Sequence, residues 1–389
     1  MNKKLVFIYI MILIRVLVSN IVHPVTPSFL IELNVSDYMF GIAYACMAFT
    51  IFFFSPFWGK LANKIGDMRA YSIGYIGYGI AQFFFMNSVN PIQIIFARLL
   101  AGIFVGPLFV AELIYITNNS NKKDVARNLS LSATLMAVAN PFGYLIGGSI
   151  GSISIKTTFM VQVIGLISLG IIAMFVKPSN KVEPFELRDI AKGSNPFKAF
   201  ADIKGHLNIA LIIFMTIVVI TMVAQTGFNQ SFNYYVIDIF KLSISNNGIL
   251  KAVIGLISLA INSTITLWLV RKKLNNSLII VFIVFATAVA LMTLSSSYIF
   301  IILAIVAYGA NATFMPIIQS VLSKINKGNS ETVFGFFGSM KGLGMFLGGF
   351  IIGFIYDFNP MFSFYFVILL AIIVVILAFR LRKELLQYN

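Results

Sequence analysis

Charge is what this 389-residue chain has least of. Asp, Glu, Lys and Arg together make up 11% of it, against roughly 25% in a soluble domain. There is a single cysteine, Cys46, which excludes a disulfide within the chain and any CxxC metal or redox site. Histidine occurs only at His23 and His206, so a His-based zinc centre is not expected. No GxxxxGK[ST] stretch occurs, and the chain cannot itself be a P-loop ATP engine. No nucleophile–base or metal constellation stands out. The expectation is therefore no cofactor, no metal and no enzymatic activity. The N-terminal "MNKKLVFIYIMILI" opens like a signal peptide but runs on to about Ile31 without a small-residue cleavage site, so it reads as a retained first helix.

Apolar residues fill the space that charge leaves. They make up 59% of the chain, aromatics make up 14% with 39 Phe, and mean hydropathy is +0.94. Lipid, rather than a folded core, must cover that much apolar surface. Twelve stretches reach the roughly 20 apolar residues that a bilayer crossing needs: 5–31, 38–59, 70–88, 91–117, 126–151, 157–176, 207–236, 246–270, 277–295, 298–322, 331–356 and 361–380. The net charge of +15 does not point to nucleic acid, because the basic residues flank these spans. The N-terminus and the loops near 60–69, 118–127, 177–206, 271–276, 323–330 and 381–389, with Arg380 at the edge of the last, hold 22 of the 28 Lys and Arg. The opposite loops hold only Lys156, Lys241 and Lys251, and Arg15, Arg98 and Lys341 lie within spans. That asymmetry predicts a multi-pass protein of the plasma membrane with both termini cytoplasmic.

The long polar segment 177–206, with its three prolines and mixed charge, separates six spans from six. It reads as a cytoplasmic linker carrying a short surface helix. The halves echo each other: "GYLIGG" at 143–148 in the fifth span matches "GMFLGG" at 344–349 in the eleventh. Six plus six with internal similarity indicates a transporter built from two parallel repeats. The predicted fold is an all-α integral membrane protein, twelve transmembrane helices in two six-helix bundles related by a pseudo-twofold repeat. The bundles are 1–176 and 207–389, the linker is 177–206, and the chain is expected to act as a monomer. Gly143, Gly147, Gly148, Gly344, Gly348 and Gly349 are the expected close-packing positions.

Four motifs, in the right spans and order, resemble the major facilitator superfamily and within it the twelve-helix drug:proton antiporters. "GKLANKIGDMR" at 59–69 resembles the family's loop G-x-L-a-D-[RK]-x-G-[RK]-[RK] through Gly59, Leu61, Ala62, Lys64 and Gly66, with Asn63 in place of Asp and Asp67-Met68 in place of two basic residues. "ARLLAGIFVG" resembles R-x-x-x-G-x-x-x-G through Arg98, Gly102 and Gly106. "NIVHPVTP" resembles the first span's G-x-x-x-P-x-x-P through Pro24 and Pro27, and "GYLIGG" resembles G-P-x-x-G-G with Tyr144 in place of Pro. The resemblance implies alternating access, a conformational-switch loop of Gly59, Asn63, Lys64, Gly66, Asp67 and Arg69, and a proton-coupling role for Arg98.

Ionisable groups at bilayer depth are costly, so each calls for a role. Arg15, Ser19 and His23 recur at four-residue intervals on one face of the first span. Glu112 is the one acid well inside a span and reads either as a proton carrier or as an interfacial partner of a loop lysine. Arg98 reads as the coupling arginine or as a buried cation that satisfies backbone carbonyls. Gln225, Asn229 and Asn233 in the seventh span, Asn262 in the eighth, Asn311 in the tenth and Lys341 in the eleventh complete the candidate substrate cavity. Phe228, Phe232, Phe314 and Met315 lie nearby in sequence, as adaptable ligand surface or as ordinary packing. The expected task is export of a small amphipathic compound, in exchange for protons. The excess of cations over Glu112 also fits an exporter or flippase of an anionic amphiphile or lipid-linked metabolite, and an uncoupled facilitator is the third form.

Overall fold

The computed structural model describes all residues except 1–2, 181, 183, 185, 188–189, 191–193, 272–273, 326–329 and 388–389, and among the described residues it is helical without strands. In chain order the helices are α1 (Lys3–Asn20), α2 (Thr26–Glu32), α3 (Met39–Ile65), α4 (Asp67–Met86), α5 (Pro91–Asn118), α6 (Val125–Gly151) and α7 (Ile155–Met174). A short α8 (Lys198–Asp202) lies in the linker, whose central residues are in part outside the described ones. Then follow α9 (Ile209–Asp238), α10 (Ile244–Ser263), α11 (Ile265–Arg271), α12 (Leu274–Thr293), α13 (Ser297–Ile325), α14 (Ser330–Phe358) and α15 (Pro360–Gln387). Among the described residues, ten helical stretches are long and apolar enough to cross a membrane. The first span, broken in two, and α4, the more polar one, bring the crossings to twelve.

Local chemistry sets the helix ends. Asn90, Ser154 and Asn208 cap α5, α7 and α9, each side-chain oxygen accepting from the backbone N–H three residues on. The first span departs from one continuous helix because Pro24 has no N–H to offer the preceding turn. The chain re-enters helix at Thr26, whose hydroxyl donates to the Val22 carbonyl at 2.7 Å. The eighth span also breaks, at Thr264. The hydroxyls of Ser263 and Thr264 donate back to the carbonyls of Leu259 and Ala260 and bend the helix there.

The expected loop at 60–69 is not a loop. Helix α3 continues to Ile65, because Lys60, Leu61, Ala62 and Lys64 are all sound helix formers. The chain then reverses at Gly66, where φ is +96°. A Cβ there would be strained and would lie 2.8 Å from the Pro178 side chain. Gly66→Ala is expected to cost about 1–2 kcal/mol, read as a lowered midpoint in a thermal melt.

Backbone contacts divide the chain into two compact units. One comprises Met1–Val35, Cys46–Pro196 and Lys241–Gly255, and the other Ser36–Ala45, Phe197–Phe240 and Leu256–Asn389. Neither unit is contiguous in sequence, since 241–255 lies with the N-terminal helices and 36–45 with the C-terminal ones. In the first unit α6 packs on α1. A Cβ on Gly143 would come 2.9 Å from the Leu17 carbonyl, and one on Gly147 would collide with the Ile21 carbonyl. Gly148 faces Gly248 of α10 backbone to backbone, and the Asn247 side chain donates to the Pro24 carbonyl at 3.0 Å.

The second unit repeats this arrangement. Gly344 and Gly348 of α14 would bring a Cβ within 2.7 and 2.9 Å of the Val219 and Val223 carbonyls of α9, and Gly349 meets Tyr44 and Ala45. The two glycine clusters therefore do the same structural task in both halves, removing side chains where two helices touch. Segment 36–45 is further held by Tyr234 donating to Asp37 at 2.8 Å, by the Tyr38 N–H donating to Asp357 at 3.2 Å, and by Phe40 stacked on Tyr234.

Candidate functional site

The first unit holds a charged network inside its apolar helices. Arg15 of α1 and Glu112 of α5 are 97 residues apart in sequence and form a bidentate pair. Nε donates to Oε1 at 2.6 Å and Nη2 to Oε2 at 3.0 Å, and the two residues are 6% and 3% exposed. The Tyr71 hydroxyl of α4 donates to the same Oε1 at 2.6 Å, and Tyr75 donates to Tyr71 at 2.7 Å. The partner of Glu112 is therefore not a loop lysine. Two apolar helices bring the opposite charges together, and a bidentate fork matches a carboxylate better than a lysine does.

Arg98 lies about four turns from Glu112 along α5 and belongs to a different network. Its guanidinium sits 3.5 Å above the Phe85 ring, and Nη1 reaches the Gln82 carbonyl oxygen only at 3.5 Å. Gln82 donates to Gln162 at 2.7 Å, and Gln162 donates to the backbone carbonyl of Ser19 at 3.0 Å. Arg98 is 9% exposed and no carboxylate among the described residues pairs with it.

His23 and Tyr144 meet edge to face, with ring centroids 5.8 Å apart. His23 is exposed to solvent. Lys251 of α10 places its Nζ 5.7 Å from the same Tyr144 ring. It is 8% exposed and also has no carboxylate partner among the described residues. Lys251 does not belong to a loop, because α10 begins two turns before it, at Ile244.

In the second unit, Gln225 donates to the side-chain oxygen of Asn311 at 2.5 Å, and Asn311 donates to that of Asn229 at 3.0 Å. Three of the candidate amides thus form one chain between α9 and α13. Asn262 is apart from it and accepts from Thr266 at 3.1 Å. Asn233 and Lys341 are half-buried without an ion pair among the described residues. Phe228, Phe232 and Phe314 are fully buried in an edge-to-face aromatic cluster with Phe285 and Tyr308, so they are core rather than ligand surface.

The turn after α3 is built on Asp67, which is fully buried. Its carboxylate accepts from the Met68 N–H at 2.7 Å, the Ser179 N–H at 2.9 Å and the Ser179 hydroxyl. Asn180 receives the Asp67 N–H at 2.8 Å and donates to the carbonyls of Ala62 and Asn63. Asn63 and Arg69 are exposed, and the Asn63 amide donates only to Gly59 one turn back, at 3.1 Å. Gly59 and Lys64 lie half-buried on the same last turns of α3.

Sequence reasoning passed over Tyr71, Tyr75, Tyr78, Gln82, Gln162 and Lys251. The first four recur at intervals of four, three and four along α4, a polar stripe that helical spacing alone reveals.

Twelve apolar crossings in two glycine-packed units, with polar networks buried in each, define a polytopic membrane protein. Residues 8–294 match the model of the Major Facilitator Superfamily, and the chain belongs to that family. It is similar to the quinolone resistance protein NorA of Staphylococcus aureus (strain MSSA476), at 25% identity over 260 residues, 66% of this chain and 63% of NorA's length. It is also similar to multidrug resistance protein 1 of Bacillus subtilis (strain 168), at 24% identity over 358 residues, 88% of this chain and 87% of that protein. Among solved structures, the nucleoside transporter NupG superposes with a TM-score of 0.72 at 16% identity, over 98% of this chain and 99% of NupG. A bacterial homologue of the human lysosomal transporter Spinster, in an inward-facing unoccupied state, superposes with a TM-score of 0.74 at 13% identity, over 99% of this chain and 96% of that one. That family is one of transporters of small molecules rather than of enzymes.

Proposed function

We propose that this chain exports a small amphipathic compound across the plasma membrane, with both termini cytoplasmic. The bundles 1–176 and 207–389, joined by the linker 177–206, rock as alternating-access bodies of a monomer. Protons move in exchange, with Arg98 and Glu112 as the coupling groups. The observation that carries this reading is the pair of polar networks, Arg15–Glu112–Tyr71 in one unit and Gln225–Asn311–Asn229 in the other. Buried charge and amide groups cost free energy inside apolar helices, and a ligand or ion path is what such groups serve in a transporter. The resistance proteins named among the relatives support the efflux direction. Arg98, Lys251 and Lys341, which lack carboxylate partners among the described residues, favour a second and narrower reading, an anionic amphiphile or lipid-linked metabolite.

Proteoliposomes loaded with a labelled amphiphile test the coupling. An imposed pH gradient is expected to drive net flux in the wild type, and equal flux without the gradient would mark an uncoupled facilitator. Glu112→Gln, in protein that still elutes as a single species, is expected to abolish gradient-driven flux and spare counterflow exchange. Uphill transport unchanged in that variant removes Glu112 from the coupling.

A further inference from the structure

Resting on the reading of the chain as a carrier of amphiphiles, we propose that Arg98, Lys251 and His23, around Tyr144, form the recognition site for a single anionic head, a carboxylate or a phosphate monoester. All four residues and their supports belong to the first unit.

The case begins with two cations that lack counter-charges. Arg98 and Lys251 are each more than nine-tenths buried, and neither has a carboxylate partner among the described residues. An uncompensated buried charge costs several kcal/mol, which is why buried charges are normally paired. Phe85 under the Arg98 guanidinium compensates only part of that cost, on one face. The N–H edge of the guanidinium has one long contact, to Gln82, and keeps its other donors for a planar acceptor. The Lys251 ammonium has no hydrogen bond to another described side chain. It has the Tyr144 ring at 5.7 Å.

These groups converge through the backbone register. Asn247 holds the Pro24 carbonyl, which fixes α10 against the break in the first span. His23 immediately precedes Pro24, and Lys251 follows Asn247 by one helical turn. The Gly148–Gly248 contact leaves no side chain to hold the helices apart there. Lys251 and His23 thus meet at the Tyr144 ring, and Arg98 is tied to the same part of the first span through Gln82 and Gln162, which donates to the Ser19 carbonyl four residues before His23; His23 is the member of the group with solvent access. The result is a site with two positive charges, an imidazole that can donate, and the aromatic walls Phe85 and Tyr144. An oxyanion satisfies both cations, and a flat apolar body lies against the rings. A cationic amphiphile would add a third positive charge to the same space.

The test uses the purified full chain in lipid nanodiscs and isothermal titration with three probes on one naphthyl body: naphthoate, naphthyl phosphate and naphthylmethylammonium. One or both anions are expected to bind, and the ratio of their affinities tells a carboxylate head from a phosphate head. The ammonium probe is expected to bind at least about tenfold more weakly. Lys251→Gln is expected to weaken binding of the anions by about tenfold or more, and Lys251→Arg to keep it within about threefold. Both variants should melt and elute as the wild type does. Ammonium binding as tight as naphthoate binding, or naphthoate affinity unchanged in Lys251→Gln, overturns the site. The outcome separates from that of the transport reading. Anion binding without flux in proteoliposomes sinks transport and leaves the site, whereas flux of a cation without anion binding does the reverse.

Discussion

Replacing Glu112 with Ala is expected to cost about 3–5 kcal/mol of stability, the largest single-residue loss in the first unit. The side chain takes two hydrogen bonds from Arg15 and one from Tyr71, and both members of the ion pair are buried. Truncation removes the carboxylate and leaves a guanidinium among apolar helices, where neither water nor a second acid can replace it. The loss comes from the orphaned charge more than from the pair itself. Arg15→Met combined with Glu112→Met should therefore regain most of the stability while abolishing coupled transport. Thermal melts of the wild type, the single and the double variant in detergent measure this. A single variant that melts with the wild type would show that Arg15 finds another partner.

Asp67→Ala is expected to have the second-largest effect, about 2–3 kcal/mol, together with release of the start of the linker. The Asp67 carboxylate is fully buried and accepts from two backbone N–H groups and the Ser179 hydroxyl. Without it, Ser179 loses its anchor on the turn between α3 and α4, while Asn180 keeps its bonds to the Asp67 N–H and the Ala62 carbonyl. The measurement is limited proteolysis of the 177–206 segment alongside a thermal melt. Faster cleavage in Asp67→Ala is the expected result, and an unchanged digestion pattern would show that Asn180 alone holds the segment.

Much of the architecture is legible in the sequence, because a bilayer leaves little choice. Each crossing needs its length of apolar residues, and the twelve stretches so counted agree with the described helices to within a few residues, apart from the extensions of α3 to Ile65 and of α15 to Gln387. The glycine clusters at 143–148 and 344–349 also speak for themselves, since only small residues let α6 and α14 approach α1 and α9 so closely. What stays hidden depends on tertiary geometry. The bond between Arg15 and Glu112 joins residues 97 apart, and no periodicity announces it. Lys251 looks like a loop lysine, because it lies only five residues inside the eighth span as counted from 246. Only the backbone contact of Gly148 with Gly248 brings it next to Tyr144. The departure at Asp67-Met68 from the family's two basic residues appears in sequence as a defect. In the fold, Asp67 is the acceptor that ties the linker to the turn.

The central claim is that the interior carries an amphiphile and chooses it by charge. Counterflow exchange in proteoliposomes tests this most directly, with naphthoate and naphthylmethylammonium compared in the same preparation. The account predicts exchange of naphthoate at least about tenfold faster than that of the ammonium probe, and a loss of that preference in Lys251→Gln. Faster exchange of the ammonium probe, or no exchange of either above protein-free liposomes, would contradict it.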